Sequence, residues 1–77
     1  MSARFTRVNT DLTAREKEVV TLLADGLTGE EIAVQLSLSA ETVRTHIRNA
    51  MQRVNAHTRA HLIAIAVRQG DLQLEDV

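Results

Sequence analysis

The sequence predicts an all-α domain of four short helices. Three observations support this fold class: apolar residues recur at helical spacing, a capping residue precedes each apolar stretch, and no segment carries the pattern of a strand. The chain has 77 residues, which is room for a single domain. Its residues are 44% hydrophobic and 25% charged, a balance typical of folded rather than disordered proteins.

The composition also excludes several classes of function. A chain this short has little room for a deep substrate pocket, so we expect no enzyme, no cofactor and no small-molecule ligand. Without cysteine there is no disulfide or thiolate metal site, and we expect no bound metal. The single aromatic residue, Phe5, argues against a surface that stacks several nucleic-acid bases. Because no membrane span or signal peptide is visible, we expect a cytoplasmic protein without membrane contact.

Helix one is predicted over residues 14–25. Thr13 and Glu16 have the spacing of a capping box, in which the hydroxyl and the carboxylate each accept a hydrogen bond from the other residue's backbone. Apolar residues follow at Val19 and Val20, and Gly26 supplies a residue that can adopt the left-handed conformation in which many helices end.

Helix two is predicted over residues 29–36, and a short connection follows it. Thr28 and Glu31 repeat the capping box. The next three residues, 37–39, are too few for anything but a tight turn, in which Leu38 can enter the core and Ser39 can cap the following helix.

Helix three is predicted over about residues 40–53, with one buried and one exposed face. Its apolar residues follow the i, i+4, i+7, i+8, i+11 pattern of a single stripe. They are Val43, Ile47, Ala50, Met51 and Val54. The opposite face carries Arg44, Thr45, Arg48 and Gln52. His46 lies at the edge of the apolar stripe, where a packing or hydrogen-bonding role is favoured over a ligand role.

Helix four is predicted over about residues 59–69, between the cap Thr58 and the stop Gly70. We expect the core face to consist of Leu62, Ile63 and Ala66. A second apolar stripe consists of Ala60, Ala64 and Val67, and it either binds a partner or is buried within the domain. His57 and His61 have a spacing that could bind a metal on one helix, but Thr58 lies between them as the cap and disfavours that reading.

The net charge of −1 conceals an uneven distribution. Residues 8–41 carry a charge of −5, and residues 71–77 carry −3. Between them, residues 42–69 contain five arginines, three histidines and no acidic residue. The predicted third helix therefore combines a buried stripe with a basic exposed face, and together with the short helix and tight turn before it forms a helix-turn-helix unit. In that arrangement the second helix of the unit enters the major groove of DNA.

Particular residues strengthen this prediction. They are the runs Leu12–Glu16, Gly26–Thr28, Glu31–Ala33, Leu38–Ser39 and Thr42–His46, together with Leu36, Arg59, Ala66 and Gly70. Over about residues 10–72 the chain thereby resembles the LuxR/FixJ-type helix-turn-helix domain of bacterial transcription regulators. The resemblance implies a four-helix domain without a wing, which binds double-stranded DNA sequence-specifically and regulates transcription.

The resemblance also implies roles for individual residues. Base reading falls on Arg44, Thr45 and Arg48. Phosphate contacts are expected at helix N-termini from Thr28, Gly29, Ser39 and Thr42. Helix four is expected to form a homodimer through Ala60, Ala64 and Val67, on a DNA site with two-fold symmetry. RNA polymerase is a further expected partner.

Two positions depart from the pattern of this family. Gly29 and Glu30 replace the basic or amide residue that often follows the Thr28 position, and the carboxylate of Glu30 would repel a phosphate. Asn55 occupies a position that is often glycine. Both departures affect the expected contacts with the DNA backbone rather than the base-reading residues.

The organisation of the chain leaves alternatives open. Residues 1–9 are expected to be a flexible arm or linker remnant, and residues 73–77 a frayed tail. The domain is either the effector part of a response regulator, which we favour, or a free-standing regulator. Two other functions remain alternatives: a promoter-binding domain like region 4 of a sigma factor, and a protein-interaction module that uses helix four and binds no DNA.

Overall fold

The computed structural model describes residues 12–70, which form four α-helices and contain no strand. The helices are α1 (Ala14–Ala24), α2 (Gly29–Leu36), α3 (Ala40–Val54) and α4 (Arg59–Arg68). Every predicted helix is present, with ends within one residue of the prediction. The predicted arm 1–9, the predicted tail 73–77 and the outermost residues of the predicted domain 10–72 lie outside the described residues.

Each helix begins at a side chain that caps it. Both predicted capping boxes form: the hydroxyl of Thr13 accepts the N–H of Glu16 at 3.1 Å, and Thr28 accepts that of Glu31 at 3.1 Å. The carboxylates of Glu16 and Glu31 in turn accept the backbone N–H of Thr13 at 3.0 Å and of Thr28 at 2.8 Å. A neutral cap of this kind typically contributes about 1 kcal/mol, so the short helix α2 depends strongly on Thr28.

The first three helices end in the same kind of turn. In each, a backbone N–H bonds to the carbonyl five residues earlier, as from Leu38 to Ala33 at 2.8 Å. The turn requires a left-handed residue, which is Gly26 at φ 94° after α1, as predicted. After α2 and α3 the same role falls to Ser37 and Asn55, each at φ 59°. Asn55 therefore replaces a glycine without changing the turn, because asparagine tolerates this conformation.

One apolar cluster joins the four helices. Its buried members are Leu12, Val19, Val20, Ile32, Ala33, Val43, Ile47, Ala50, Leu62 and Ala66. Leu38 packs against this cluster from the turn, as predicted. The predicted core face of α4 is partly wrong, because Ile65 is buried and Ile63 is only half-buried. The prediction assumed that His61 and Arg68 mark the solvent-facing side of α4. The buried side is rotated from that expectation by a fraction of a turn and includes Ile65.

Helix α3 is central to this arrangement. It packs against each of the other three helices, as α1 also does, whereas α2 and α4 do not contact each other within residues 12–70. Its buried stripe consists of Val43, Ile47 and Ala50, which leaves the opposite face in solvent. No helix in the described range is long and apolar enough to cross a bilayer.

Candidate nucleic-acid interface

The outer face of α3 carries the three residues predicted to read bases. Arg44 and Arg48 are exposed, and Thr45 is half-buried between them. Arg48 Nη2 donates to the hydroxyl of Thr45 at 3.4 Å, a long hydrogen bond that leaves most of the guanidinium free to bind elsewhere. The structure therefore places these three side chains together on one accessible surface.

A basic depression continues this surface toward the start of α4. Three arginines line it, with polar Gln52 and Asn55 beside them and the flanks of Ile47, Met51 and Ala56 beneath. The arginines are Arg44, Arg48 and Arg59. The sequence indicated Arg59 as part of the acid-free stretch and of the family resemblance, but not as part of the DNA interface, because its position beside α3 depends on how α4 packs. We refer to this surface, the exposed side of α3 with Arg59, as the basic face.

Arg53 belongs to the same acid-free stretch but has a structural role. Its Nε and Nη2 donate to the two carboxylate oxygens of Glu16 at 3.0 Å and 3.1 Å, joining α3 to α1. The side chain of Glu16 is 3% exposed and that of Arg53 43% exposed. The five arginines of residues 42–69 therefore do not act as one group, since one of them neutralises a buried carboxylate.

The environment of Glu16 favours its charged form. Burial alone raises the pKa of this carboxyl, but hydrogen bonds from Arg53 and from the backbone of Thr13 lower it, as do the positive charges of Arg53 and His46. The lowering effects prevail, and the pKa lies below its ordinary value of 4.5. His46 is half-buried at the edge of the apolar stripe, which agrees with its predicted packing role.

The N-terminus of α2 has donors that remain available to an anion. The backbone N–H of Thr28 is occupied by the carboxylate of Glu31, and the Thr28 oxygen by the backbone N–H of that residue. The hydroxyl proton of Thr28 has no acceptor among the described residues, and the amide of Gly29 is one of the first-turn N–H groups that a helix leaves unpaired. Thr28 and Gly29 can thus donate to a phosphate through these groups.

The N-terminus of α3 divides its donors differently. Ser39 Oγ accepts the backbone N–H of Thr42 at 3.0 Å and donates its proton to the hydroxyl oxygen of the same residue at 2.8 Å. The side-chain proton of Ser39 is therefore occupied, and the hydroxyl proton of Thr42 is the one left to point outward. Of the two predicted side-chain donors here, only Thr42 can act directly, while Ser39 orients it.

The second apolar stripe of α4 faces outward. Ala60 and Ala64 are exposed and Val67 is half-buried, so this stripe is not buried within the domain. Nearby, the backbone N–H of His57 donates to Nδ1 of His61 at 3.1 Å, and the two rings stack with centroids 5.5 Å apart. The described residues contain no group of three or more histidine and acidic side chains that could hold a metal ion.

The fold and the basic face together define the class of protein. Two capped helices joined by a tight turn, with arginines on the exposed side of the second, form a helix-turn-helix DNA-binding domain. Residues 10–66 match the family model of bacterial regulatory proteins described as the luxR family. The chain belongs to this family, and it is a DNA-binding domain of transcription regulation rather than a member of an enzyme family.

Individual relatives agree with this assignment. The chain is 44% identical over 63 residues to the spore germination protein GerE of Bacillus subtilis, covering 82% of this chain and 85% of GerE. A solved structure of the transcription factor GerE superimposes with a TM-score of 0.82 at 36% identity, covering 86% of this chain and 98% of that one.

Other relatives are longer than this chain. Identity is 44% over 70 residues to the uncharacterized response regulatory protein YgeK of Escherichia coli, covering 91% of this chain but 47% of YgeK. The chain is 37% identical over 62 residues to the nitrate/nitrite response regulator protein NarP of Escherichia coli, covering 80% of this chain and 29% of NarP. The chain therefore spans about half of YgeK and less than a third of NarP.

Proposed function

We propose that this domain recognises a specific double-stranded DNA sequence by placing α3 in the major groove. The observation that carries the proposal is the basic face, where exposed arginines stand on the side of α3 opposite its buried stripe. The guanidinium groups of Arg44 and Arg48 can each donate two hydrogen bonds, to O6 and N7 of a guanine. The methyl group of Thr45 can contact the methyl group of a thymine.

Phosphate contacts would fix the helix in the groove. The available donors at the two helix N-termini come from Thr28, Gly29 and Thr42, with Ser39 orienting the last of these. Arg59 adds a charge at the α4 end of the basic face, where it can bind a phosphate on the far side of the groove. Contacts with the DNA backbone on both sides of α3 hold such a helix at a fixed depth in the major groove.

Dimerisation would extend the recognised sequence. The outward stripe of Ala60, Ala64 and Val67 is narrow and made of small side chains, which allows the same stripe of a second copy to approach closely. Such a contact is two-fold symmetric, so the DNA site would consist of two inverted halves. A weak contact of this kind would form mainly on DNA, where the two copies are held together.

The relatives support a proposal for the biological setting. NarP and YgeK are named as response regulators and are longer than this chain, whereas GerE is of nearly the same length. We favour an effector domain over residues 10–72 of a regulator acting in the cytoplasm, where its DNA lies. Its activity would require no cofactor or small molecule within this domain, and its regulatory partner on DNA would be RNA polymerase.

A selection of bound sequences from random DNA, followed by mobility shifts, tests the proposal. We expect a site with two-fold symmetry and affinity that falls as salt rises. Arg48→Ala should lose about 1–3 kcal/mol on the selected site and relax the preference at one base pair. Arg15→Ala is the matched control, because it removes an equal charge from an exposed position on α1.

Two outcomes would contradict this function. Equal losses on selected and random DNA for Arg48→Ala would show that this residue contacts phosphate rather than bases. The absence of salt-sensitive binding to any DNA would favour the protein-interaction module instead.

A further inference from the structure

Gln52 is an exposed, uncharged side chain on the basic face. It lines the same depression as Arg44, Arg48 and Arg59. Its side-chain amide forms no hydrogen bond with another residue of the described range 12–70, so its oxygen and its NH2 group are both available to a ligand. Beside its guanidinium groups, the depression therefore contains an unused amide that can donate and accept.

The position of Gln52 on α3 directs its side chain away from the core. At 3.6 residues per turn, Gln52 lies about 170° around the helix from the middle of the buried stripe. The corresponding angles are about 130° for Arg48 and about 90° for Arg44, whereas Thr45 lies about 170° away in the opposite sense. Gln52 and Thr45 thus flank the midline of the exposed side, and both point more directly outward than the two arginines.

The proposed contacts with the DNA backbone would keep the second half of α3 in the groove. Thr28 and Thr42 would hold the N-terminal end of this helix, and Arg59, which lies in the depression with Gln52, would hold the other end. A helix held at both ends cannot lift away from the bases. Gln52 lies one helical turn beyond Arg48, a rise of about 6 Å, which equals the height of roughly two base pairs. It is therefore placed to meet a base pair beyond the one at Arg48.

The chemistry of the amide determines which base it fits. In the major groove adenine presents N7 as an acceptor and its N6 amino group as a donor, side by side. The amide of Gln52 matches this pair, because Nε2 can donate to N7 and Oε1 can accept from N6. Guanidinium groups only donate, so the neighbouring arginines fit guanine instead. Asn55 carries the same groups as Gln52, but it lies in the turn that ends α3 rather than on its exposed side.

We infer that Gln52 is a further base-reading residue, which selects an A·T pair through two hydrogen bonds between its side-chain amide and adenine. The inference rests on the proposed function, because α3 must first lie in the major groove of a specific site. The selected pair lies roughly two base pairs from the one read by Arg48, on the side toward Arg59. On a site with two-fold symmetry it occurs once in each half.

Selection of bound sequences from random DNA, followed by fluorescence anisotropy, tests the inference. For the wild type we expect an enriched adenine in each half-site, and replacing that A·T pair by G·C in one half should weaken binding roughly tenfold. Gln52→Ala should lose less than about twofold on the same replacement, and Gln52→Arg should prefer the G·C pair. Both variants place a good helix former at an exposed position, so the fold should be retained.

A modified base separates a contact with the base from a contact with the DNA backbone. 7-Deazaadenine keeps its pairing with thymine and its N6 amino group but lacks the N7 acceptor. Its introduction at the selected position should weaken the wild type about threefold and leave Gln52→Ala nearly unaffected, since only the wild type donates to N7. Gln35→Ala is the matched control and should respond as the wild type does, because Gln35 is an exposed glutamine on α2, outside the basic face.

The outcomes separate this inference from the proposed function. If the wild type selects no sequence from random DNA, the proposed function is wrong. If it selects a sequence but Gln52→Ala keeps every base preference, the inference about Gln52 alone is overturned. The inference also fails if Gln52→Ala weakens selected and random DNA equally, since Gln52 would then contact a phosphate, or if the preference that is lost is not for A·T.

Discussion

The exposed side of α2 and the basic face lie in opposite halves of the chain and differ in their charge. The first combines the carboxylates of Glu30 and Glu31 with the exposed side chain of Val34. The second, on α3 and the start of α4, combines arginines with amide side chains. The depression on it is lined by no carboxylate, and Glu41 is exposed in the first turn of α3. A net charge of −1 therefore describes neither face. A near-neutral domain can bind DNA because the charges are separated in space, although long-range attraction to DNA is weaker than for a strongly basic domain.

A single substitution at the connection between the two halves should have a large effect on stability. Glu16→Ala removes the carboxylate that accepts from Arg53 and from the cap of α1. We expect a loss of about 2–3 kcal/mol in the free energy of unfolding, below the usual figure for a broken buried ion pair because Arg53 is half in water. Urea unfolding at pH 7 measures this loss.

The exposed pair on α1 provides the control for that measurement. Glu18 accepts from Arg15 at 2.9 Å, but both side chains lie in solvent. Glu18→Ala should therefore cost less than about 1 kcal/mol. Similar losses for the two variants would mean that the buried pair does not stabilise the contact between α1 and α3.

The same carboxylate should make stability depend on acidity. The pKa of Glu16 is lower in the folded than in the unfolded chain, so its ionised form favours folding. The contribution is complete above the unfolded value, near 4.5, and declines as the pH falls from there through the lower folded pKa. Unfolding of the wild type and Glu16→Gln, compared between pH 6 and pH 3, should show a difference that narrows on acidification. A constant difference would exclude this linkage.

The basic face can be tested by counting the DNA phosphates that the domain neutralises. Arg59→Ala should lower the slope of log affinity against log salt by about one unit and weaken selected and random DNA alike. Arg15→Ala, which removes a charge from the other half, should leave the slope unchanged. An unchanged slope for Arg59→Ala would remove this residue from the interface.

The smallest effect is expected at the turn between α2 and α3. Ser37 adopts a left-handed conformation that disfavours residues with a Cβ atom, so Ser37→Gly should raise stability by about 0.5–1 kcal/mol, after the entropy of glycine in the unfolded chain is subtracted. Asn55→Gly should gain less, because asparagine tolerates this conformation better. Thermal unfolding of the two variants compares their gains in stability. Equal gains would contradict the expectation that asparagine tolerates this conformation better than serine.

The sequence predicted those parts of the fold that depend on near neighbours. Thr13 and Thr28 cap helices through residues three positions away, and the exposed side of α3 follows from its periodicity. The pairing of Glu16 with Arg53 joins residues 37 positions apart and depends on how the helices pack, so no local pattern indicates it. The position of Arg59 beside α3 and the burial of Ile65 depend on packing in the same way.

The exposure of Val34 was not predicted from the sequence for a different reason. A valine within a helical segment is usually taken as part of a core, and Val34 lies next to Ile32 and Ala33, which are buried. Only the orientation of a two-turn helix decides which of these side chains is left outside. Short helices give a periodic pattern too few residues to fix that orientation.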